Sequence, residues 1–399
     1  MDFIILSLIK LSIVLGIFMT ALAYIQWIER KVIAHVQLRV GPKRVGPHGL
    51  LQPLADVIKL ITKEGFIPSH VNHTFYLLAP FLAVFFALIP ISMIPFGAGV
   101  KIPFTDITTN MELTDLNAGL LVILGLSGMG VYGIALAGWS SNNKYALIGS
   151  LRSSAQMISY ELPMAMALVA PLLMLNTVSL REIVNGQEGF YLGFIPRWSI
   201  FLLPAPQIIS FILFMIAGFA ETNRVPFDLP EAENELVAGF HLEYASMKFA
   251  AFFMAEYANM VTVCSVATLL FLGGWHPLVA PALGGNWIAA LVHIFAGIIC
   301  IFHGLQPARK WDNITLPIFG VAFIGAGLVF CIPMVQDLLG SVFWFTAKLL
   351  ILLFVFIWVR ATLPRFRYDQ LMRFAWLFMF PVALVNLIFT AFLVAATSN

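Results

Sequence analysis

Long uninterrupted apolar runs, separated by short polar stretches, set the pattern of this chain. Ten candidate spans follow, at approximately 3–28, 74–95, 116–138, 158–176, 200–221, 247–272, 286–304, 315–335, 341–360 and 375–396. Each is near the ~20 residues that an α-helix needs to cross a bilayer. The alternation of a β-barrel is absent, so a helical bundle is the spanning structure that satisfies the backbone. The expected fold is an all-α, multi-span membrane bundle. Two connections are long, 29–73 and 222–246, and the rest leave little room for a soluble domain. The first span is apolar almost from its start and carries Ala21-Leu22-Ala23. A cleaved signal would begin basic, whereas Asp2 is the first charge, so the segment reads as a retained span.

Composition strengthens this picture. The 399 residues are 60% hydrophobic and 11% charged, with a mean hydropathy of +0.93, which places the chain in a membrane. The net charge of +2 decides little, and the scattered basic residues give no footprint for nucleic acid. Cys264, Cys300 and Cys331 lie in or beside apolar spans, far apart, and read as small buried hydrophobes. They form no Cys-x-x-Cys and no iron–sulfur spacing. With the N-terminus outside, the inner loops hold 17 Lys/Arg and the outer loops three, Lys101, Arg181 and Arg197. That asymmetry predicts both termini outside and both long loops in the cytoplasm.

The second long loop is acidic on the side where topology favours bases. It reads AETNRVPFDLPEAENELVAGF over Ala220–Phe240. From Glu221 to Glu243 the acids are Glu221, Asp228, Glu231, Glu233, Glu235 and Glu243, with Arg224 the lone base. Carboxylates beside a membrane core are costly unless paired, wetted or protonated. Crowding also raises their pKa values, which suits proton handling or a polar ligand site. Asp228-Leu-Pro-Glu231 matches a helix start, with Asp228 as N-cap. Asp228, Glu231 and Glu235 then share one face, while Glu221 and Arg224 are spaced to pair.

The first long loop, Ile28 to Gly65, reads IERKVIAHVQLRVGPKRVGPHGLLQPLADVIKLITKEG. Gly41-Pro42 and Gly46-Pro47 break it into turns. Leu51, Leu54, Ile58 and Ile61 then recur at helical spacing opposite Gln52, Asp56, Lys59 and Lys63. This predicts an amphipathic helix, lying at the interface or docked on the bundle. Arg30, Lys31, Lys43 and Arg44 read as topogenic or headgroup contacts, but Asp56 gains nothing from anionic lipid.

Lys10, Glu161, Glu256, His293, His303 and Lys348 are ionisable residues within or at the rim of spans. Such residues are functional candidates, facing the bundle interior or a wet cavity. Glu161 and Glu256 are the leading ones, each beside a tyrosine, whereas the histidines read as helix packing. No phosphate-binding loop, His-Glu-x-x-His or nucleophile elbow is present. Gly125, Gly128 and Gly130 sit mid-span, where small residues serve helix packing.

Four strings together carry a resemblance: ERKVIAHVQLRVGPKRVGPHGLLQPLADVIKLITKE, GWSSNNKYALIGSLRSSAQMISYEL, AETNRVPFDLPEAENELVAGFHLEYASMKFAAFFMAEY and IWVRATLPRFRYDQLMRFAW. In this order they resemble the H subunit of bacterial proton-translocating NADH:quinone oxidoreductase, respiratory complex I, equivalent to mitochondrial subunit 1. The resemblance covers roughly 1–275 and 341–399. It implies a membrane subunit at the junction with the peripheral arm, its cytoplasmic loops forming much of a quinone chamber. Arg30, Gln37, Arg39 and Asp56 match positions that line or shape the quinone tunnel. Arg224, Arg365 and Arg367 match loop bases at the same chamber. Glu161, Glu221, Asp228, Glu231, Glu233, Glu235, Glu243 and Glu256 match acids of the acidic loop and proton pathway. Quinone is the implied substrate. Flavin and iron–sulfur clusters belong to partner subunits, and no metal is expected on this chain. The implied partners are the other membrane and peripheral-arm subunits, and the implied location is the bacterial cytoplasmic membrane rather than an organellar one. The family pattern has eight spans, so the segment 276–340 is read as a two-span insertion, packed outside the bundle.

Other readings stay open on the sequence. Membrane-bound hydrogenase-type complexes carry a similar subunit. A stand-alone proton-coupled transporter would also use intramembrane acids, although no inverted repeat is evident. A purely structural anchor leaves the buried acids without a purpose.

Overall fold

The computed structural model describes residues 2–101, 108–229, 237–305 and 312–397. Glu231, Glu233 and Glu235, with most of the helix predicted to start at Asp228, lie outside the described residues. Elsewhere the chain is a bundle of α-helices, and two short two-stranded pairings lie in connections. Eight helical segments are long and apolar enough to cross a membrane: 7–36, 73–93, 119–140, 144–175, 246–271, 285–305, 333–362 and 368–397. Two shorter apolar helices, Ile208–Glu221 and Asn313–Val329, occupy the other two predicted spans. The chain is an integral membrane protein of the expected class.

In chain order the helices are α1 Asp2–Val36, α2 Gln52–Thr62, α3 His73–Leu88, α4 Gly119–Ser140, α5 Lys144–Leu175, α6 Leu180–Asn185 and α7 Ile208–Glu221. Then come α8 Ser246–Phe271, α9 Ile288–Leu305, α10 Asp312–Val329, α11 Pro333–Thr362, α12 Tyr368–Arg373 and α13 Phe380–Thr397. A π-helical turn, Phe374–Met379, joins the last two. Helix α8 is the core of the bundle. It is mostly apolar and has neighbours on several sides, burying Tyr257, Ala258, Cys264, Leu269 and Phe271 against α3, α7 and α11. At Gly218 of α7 an added Cβ would stand 2.4 Å from Val263, so the absent side chain sets how closely α7 meets α8.

Two boundaries differ from the hydropathy reading. Helix α5 begins at Lys144 rather than near 158. Its first half is rich in Ser and Gln, which hides it from an apolar window, while Asn143 caps it by accepting from the Tyr145 amide at 3.0 Å. Helix α7 starts only at Ile208 because Pro204 and Pro206 lack the amide that helix needs. Its 14 residues rise about 21 Å, less than a hydrocarbon core. The non-helical stretch before it therefore needs partners from protein. The side chain of Gln187 supplies them, accepting from the Ser199 and Gly273 amides and donating to the carbonyls of Ile183 and Leu269. Gln207 donates to Ala205 O and to Thr390 of α13.

Helices α9 and α10 form a hairpin that packs chiefly on itself. Gly297 and Gly320 let the backbones meet, since an added Cβ would lie 2.6 Å from Gly320 O in one case and 2.5 Å from the Ile301 side chain in the other. Helices α9 and α10 together flank α11.

Lys348 of α11 is fully embedded and has a structural task. Its Nζ donates to the carbonyls of Leu272, Gly274 and His276 at 2.6–2.8 Å, and lies 4.2 Å from the Trp198 ring centroid. It collects carbonyls of the non-helical stretch that follows α8. Lys348→Met is expected to cost about 2–3 kcal/mol through those carbonyls. Thermal unfolding of the variant should drop while turnover of whatever remains folded stays unchanged.

Candidate functional site

The polar half of α5 builds the entrance to the acidic loop. Helix α7 ends at Glu221, and Asn223 turns the chain with φ +50°. The Gln156 amide donates to the carbonyls of Ala220 and Phe227, each at 2.8 Å, and so clamps both ends of that turn. Ser153 donates to Asn223 Oδ1. The turn breaks helical spacing, and with it the expected Glu221–Arg224 pair. Arg224 instead reaches Glu29 of α1 at 3.4 Å and lies 4.3 Å from the Tyr257 ring centroid.

Glu29, which closes the first span beside Arg30 and Lys31, is the centre of a buried cluster. It is 3% exposed. Its carboxylate accepts from Tyr257 Oη of α8 at 2.6 Å, from Arg224, and from Arg360 of α11. One carboxylate thus joins α1, the α7–α8 loop, α8 and α11. The available signal is an acid set directly on the end of an apolar span, where a carboxylate must be paired or wetted. Nearby, Asp228 pairs with Arg365 at 2.8 Å and fastens the acidic loop to the α11–α12 connection.

Glu221 lies deeper and is enclosed by protein. Two small cavities are lined in part by Glu221. One, about 20 Å³, is lined by Ser127, Met164, Phe214, Asn259 and Thr262. The other, about 30 Å³, is lined by Asn223, Phe252, Glu256 and Asn259. Each has room for about one water. Glu221 Oε2 meets no hydrogen-bond partner among the described residues. Glu161 of α5 is within electrostatic reach of Glu221 and rests on Gly128 of α4, where an added Cβ would sit 2.5 Å from its Oε1. The structure therefore brings Glu221, Glu161 and Glu256 together from α7, α5 and α8. The mid-span glycine is what admits Glu161 to the group.

The remaining candidates separate into neighbouring places. Arg30 pairs with Asp56 at 2.7 Å, and Gln52 donates to the other Asp56 oxygen, so α1 is tied to α2. Gln37 and Arg39 bond to each other on an exposed turn. The apolar face of α2, Leu51, Leu54, Ile58 and Ile61, is exposed on this chain, as an interfacial helix requires. Glu243 belongs to a different contact: Asn143 donates to it at 2.8 Å and His70 stands 3.8 Å away. Arg367 is exposed and faces Asp369.

Comparison with known proteins gives this arrangement its family. A family model described as NADH dehydrogenase matches residues 9–391. The NADH-quinone oxidoreductase H subunit 1 of Solibacter usitatus (strain Ellin6076) is 61% identical, covering 100% of this chain and 99% of that one. The chain belongs to the H-subunit family of NADH-quinone oxidoreductase. The H subunit 2 of Koribacter versatilis (strain Ellin345) is 47% identical over 98% of both chains, and the H subunit 1 of Geobacter sulfurreducens 43% over 98% and 95%. The protein is accordingly a membrane subunit of an oxidoreductase complex, complex I, with other subunits as partners. The segment 276–340 lies inside the length matched by the Solibacter chain.

Proposed function

We propose that this chain forms much of the quinone chamber of the complex and couples quinone reduction to proton movement through its buried acids. The observation that carries the reading is Glu221, a carboxyl enclosed by helices and set between two water-sized cavities. Glu161 and Glu256 extend it sideways into the bundle, and Asn223 and Arg224 link it to the Glu29 cluster at the loop end. Quinone reduction at the loops places negative charge near that cluster. Charge in a poorly hydrated site displaces neighbouring proton equilibria. A proton taken at Glu221 would pass to Glu161 or Glu256 by way of a water in either cavity. Asp228 supplies a carboxylate at the chamber side, and Glu231, Glu233 and Glu235 follow it in sequence as further acids assigned to the pathway. The names of the relatives favour this reading over a hydrogenase-type complex. Flavin and iron–sulfur clusters are assigned to partner subunits, the long loops to the cytoplasm, and the complex to the bacterial cytoplasmic membrane.

The Arg30–Asp56 pair tests the quinone half. The pair is partly exposed, so its loss should cost at most about 1 kcal/mol and leave the complex assembled. Asp56→Asn is expected to raise the KM for a short-chain quinone about fivefold while NADH oxidation by an artificial acceptor stays normal. Unchanged quinone kinetics in an assembled variant would count against the chamber.

A further inference from the structure

Among the described residues, one of the places where the helical pair α9–α10 meets the rest of the chain is the turn that opens at the second Gly-Pro motif, just before α2. His48 Nε2 meets Thr315 Oγ1 of α10 at 2.8 Å, a contact half-buried between residues 267 apart in sequence. His48 is in a single 3-10 turn, Pro47–Gly49, and holds φ +53° there. That left-handed conformation disfavours a side chain such as histidine and persists where surroundings enforce it. The turn is closed on itself as well. At Gly49, φ +77°, an added Cβ would lie 2.4 Å from Pro42 O. Four residues after His48 comes Gln52, which starts α2 and bonds to Asp56, the partner of Arg30. The placement of the turn thus fixes where α2 and the Arg30–Asp56 pair sit.

On the other side of the contact stands a stiff element. Gly297, Gly320 and Gly327 bring the backbones of α9 and α10 together, Gly304 packs on the Pro317 ring, and His293 stacks on Phe330 at 5.2 Å. A pair joined this way moves as one body. We propose that the α9–α10 hairpin is a strut for the first loop, with Thr315 as a positioning residue that holds His48 and, through it, the start of α2. Its kinetic consequence rests on the reading that this loop lines the quinone chamber. The strut gives the segment 276–340 a task at the loop end of the membrane.

The test is Thr315→Val beside Thr315→Ser in the intact complex, with two readouts. The first is amide hydrogen exchange of residues 41–52, which reports the turn directly. The second is the quinone KM against kcat. Thr315→Val is expected to speed exchange in the turn about tenfold and to raise KM about three- to tenfold, with kcat held within about twofold. Thr315→Ser, which keeps the hydroxyl, should restore both. Unchanged exchange in Thr315→Val would overturn the strut. Faster exchange with unchanged KM would uphold the strut and overturn the placing of quinone at this loop. If Thr315→Val does not assemble, His48→Cys with Thr315→Cys answers by cross-linking with a short bismaleimide. A bridge absent from both single variants upholds the contact, and no bridge overturns it.

Discussion

Replacing Glu221 by glutamine should leave the complex assembled and lower its inhibitor-sensitive NADH:quinone turnover about a hundredfold. The substitution is nearly isosteric, so packing beside Val263 and Phe214 is retained. It removes only the ability to take and release a proton between the two cavities. A glutamine amide also satisfies its neighbours, so stability should hold or rise slightly. The assay is quinone reduction in proteoliposomes, with acidification measured in parallel and assembly checked on native gels. Normal coupled rates in an assembled Glu221→Gln complex would sink the proton role. Glu161→Gln and Glu256→Gln form the natural series, and an effect confined to Glu221 would shorten the route to one site.

Glu29→Ala should fail for a different reason. It leaves Arg224 and Arg360 facing each other without the carboxylate both contact, and it strips Tyr257 Oη of its acceptor. Breaking a buried charge pair by removing one partner costs about 3–5 kcal/mol. A loss of that size rivals the whole stability of many folded domains. The expected result is a chain that is made but poorly incorporated, read as loss of the assembled complex on native gels. Glu29→Gln, which keeps two acceptor lone pairs, should lie between. Where the Glu221 variant separates chemistry from assembly, the Glu29 variant couples them.

How much of this is legible in the chain follows from what hydropathy can see. The ten apolar segments are visible because bilayer thickness imposes a length on them. The early start of α5 is not, because its buried face at Gln156 and Ser153 meets the polar turn of another segment rather than lipid. Proximity is also invisible. Glu161 and Glu221 lie 60 residues apart, and only the packing of α5 on α7 brings them into reach. Glu29 reads with Arg30 and Lys31 as a loop-end charge, although its neighbours Arg224, Tyr257 and Arg360 come from distant parts of the chain. Asp56 stands out because an acid on an interfacial helix has no lipid to meet, and its partner is Arg30.

The crossing that ends at Glu221 has a consequence for how the protein enters the membrane. Residues 198–207 are not helix, and their backbone is satisfied in part by Gln187 and Gln207. Thr390 of α13 completes the Gln207 contact. Lipid supplies none of these bonds, so the segment cannot partition into hydrocarbon alone as α3 or α4 can. Its insertion is conditional on helices made both before and after it. The carboxyl at its end therefore reaches its position beside α4, α5 and α8 only once this conditional segment is in place.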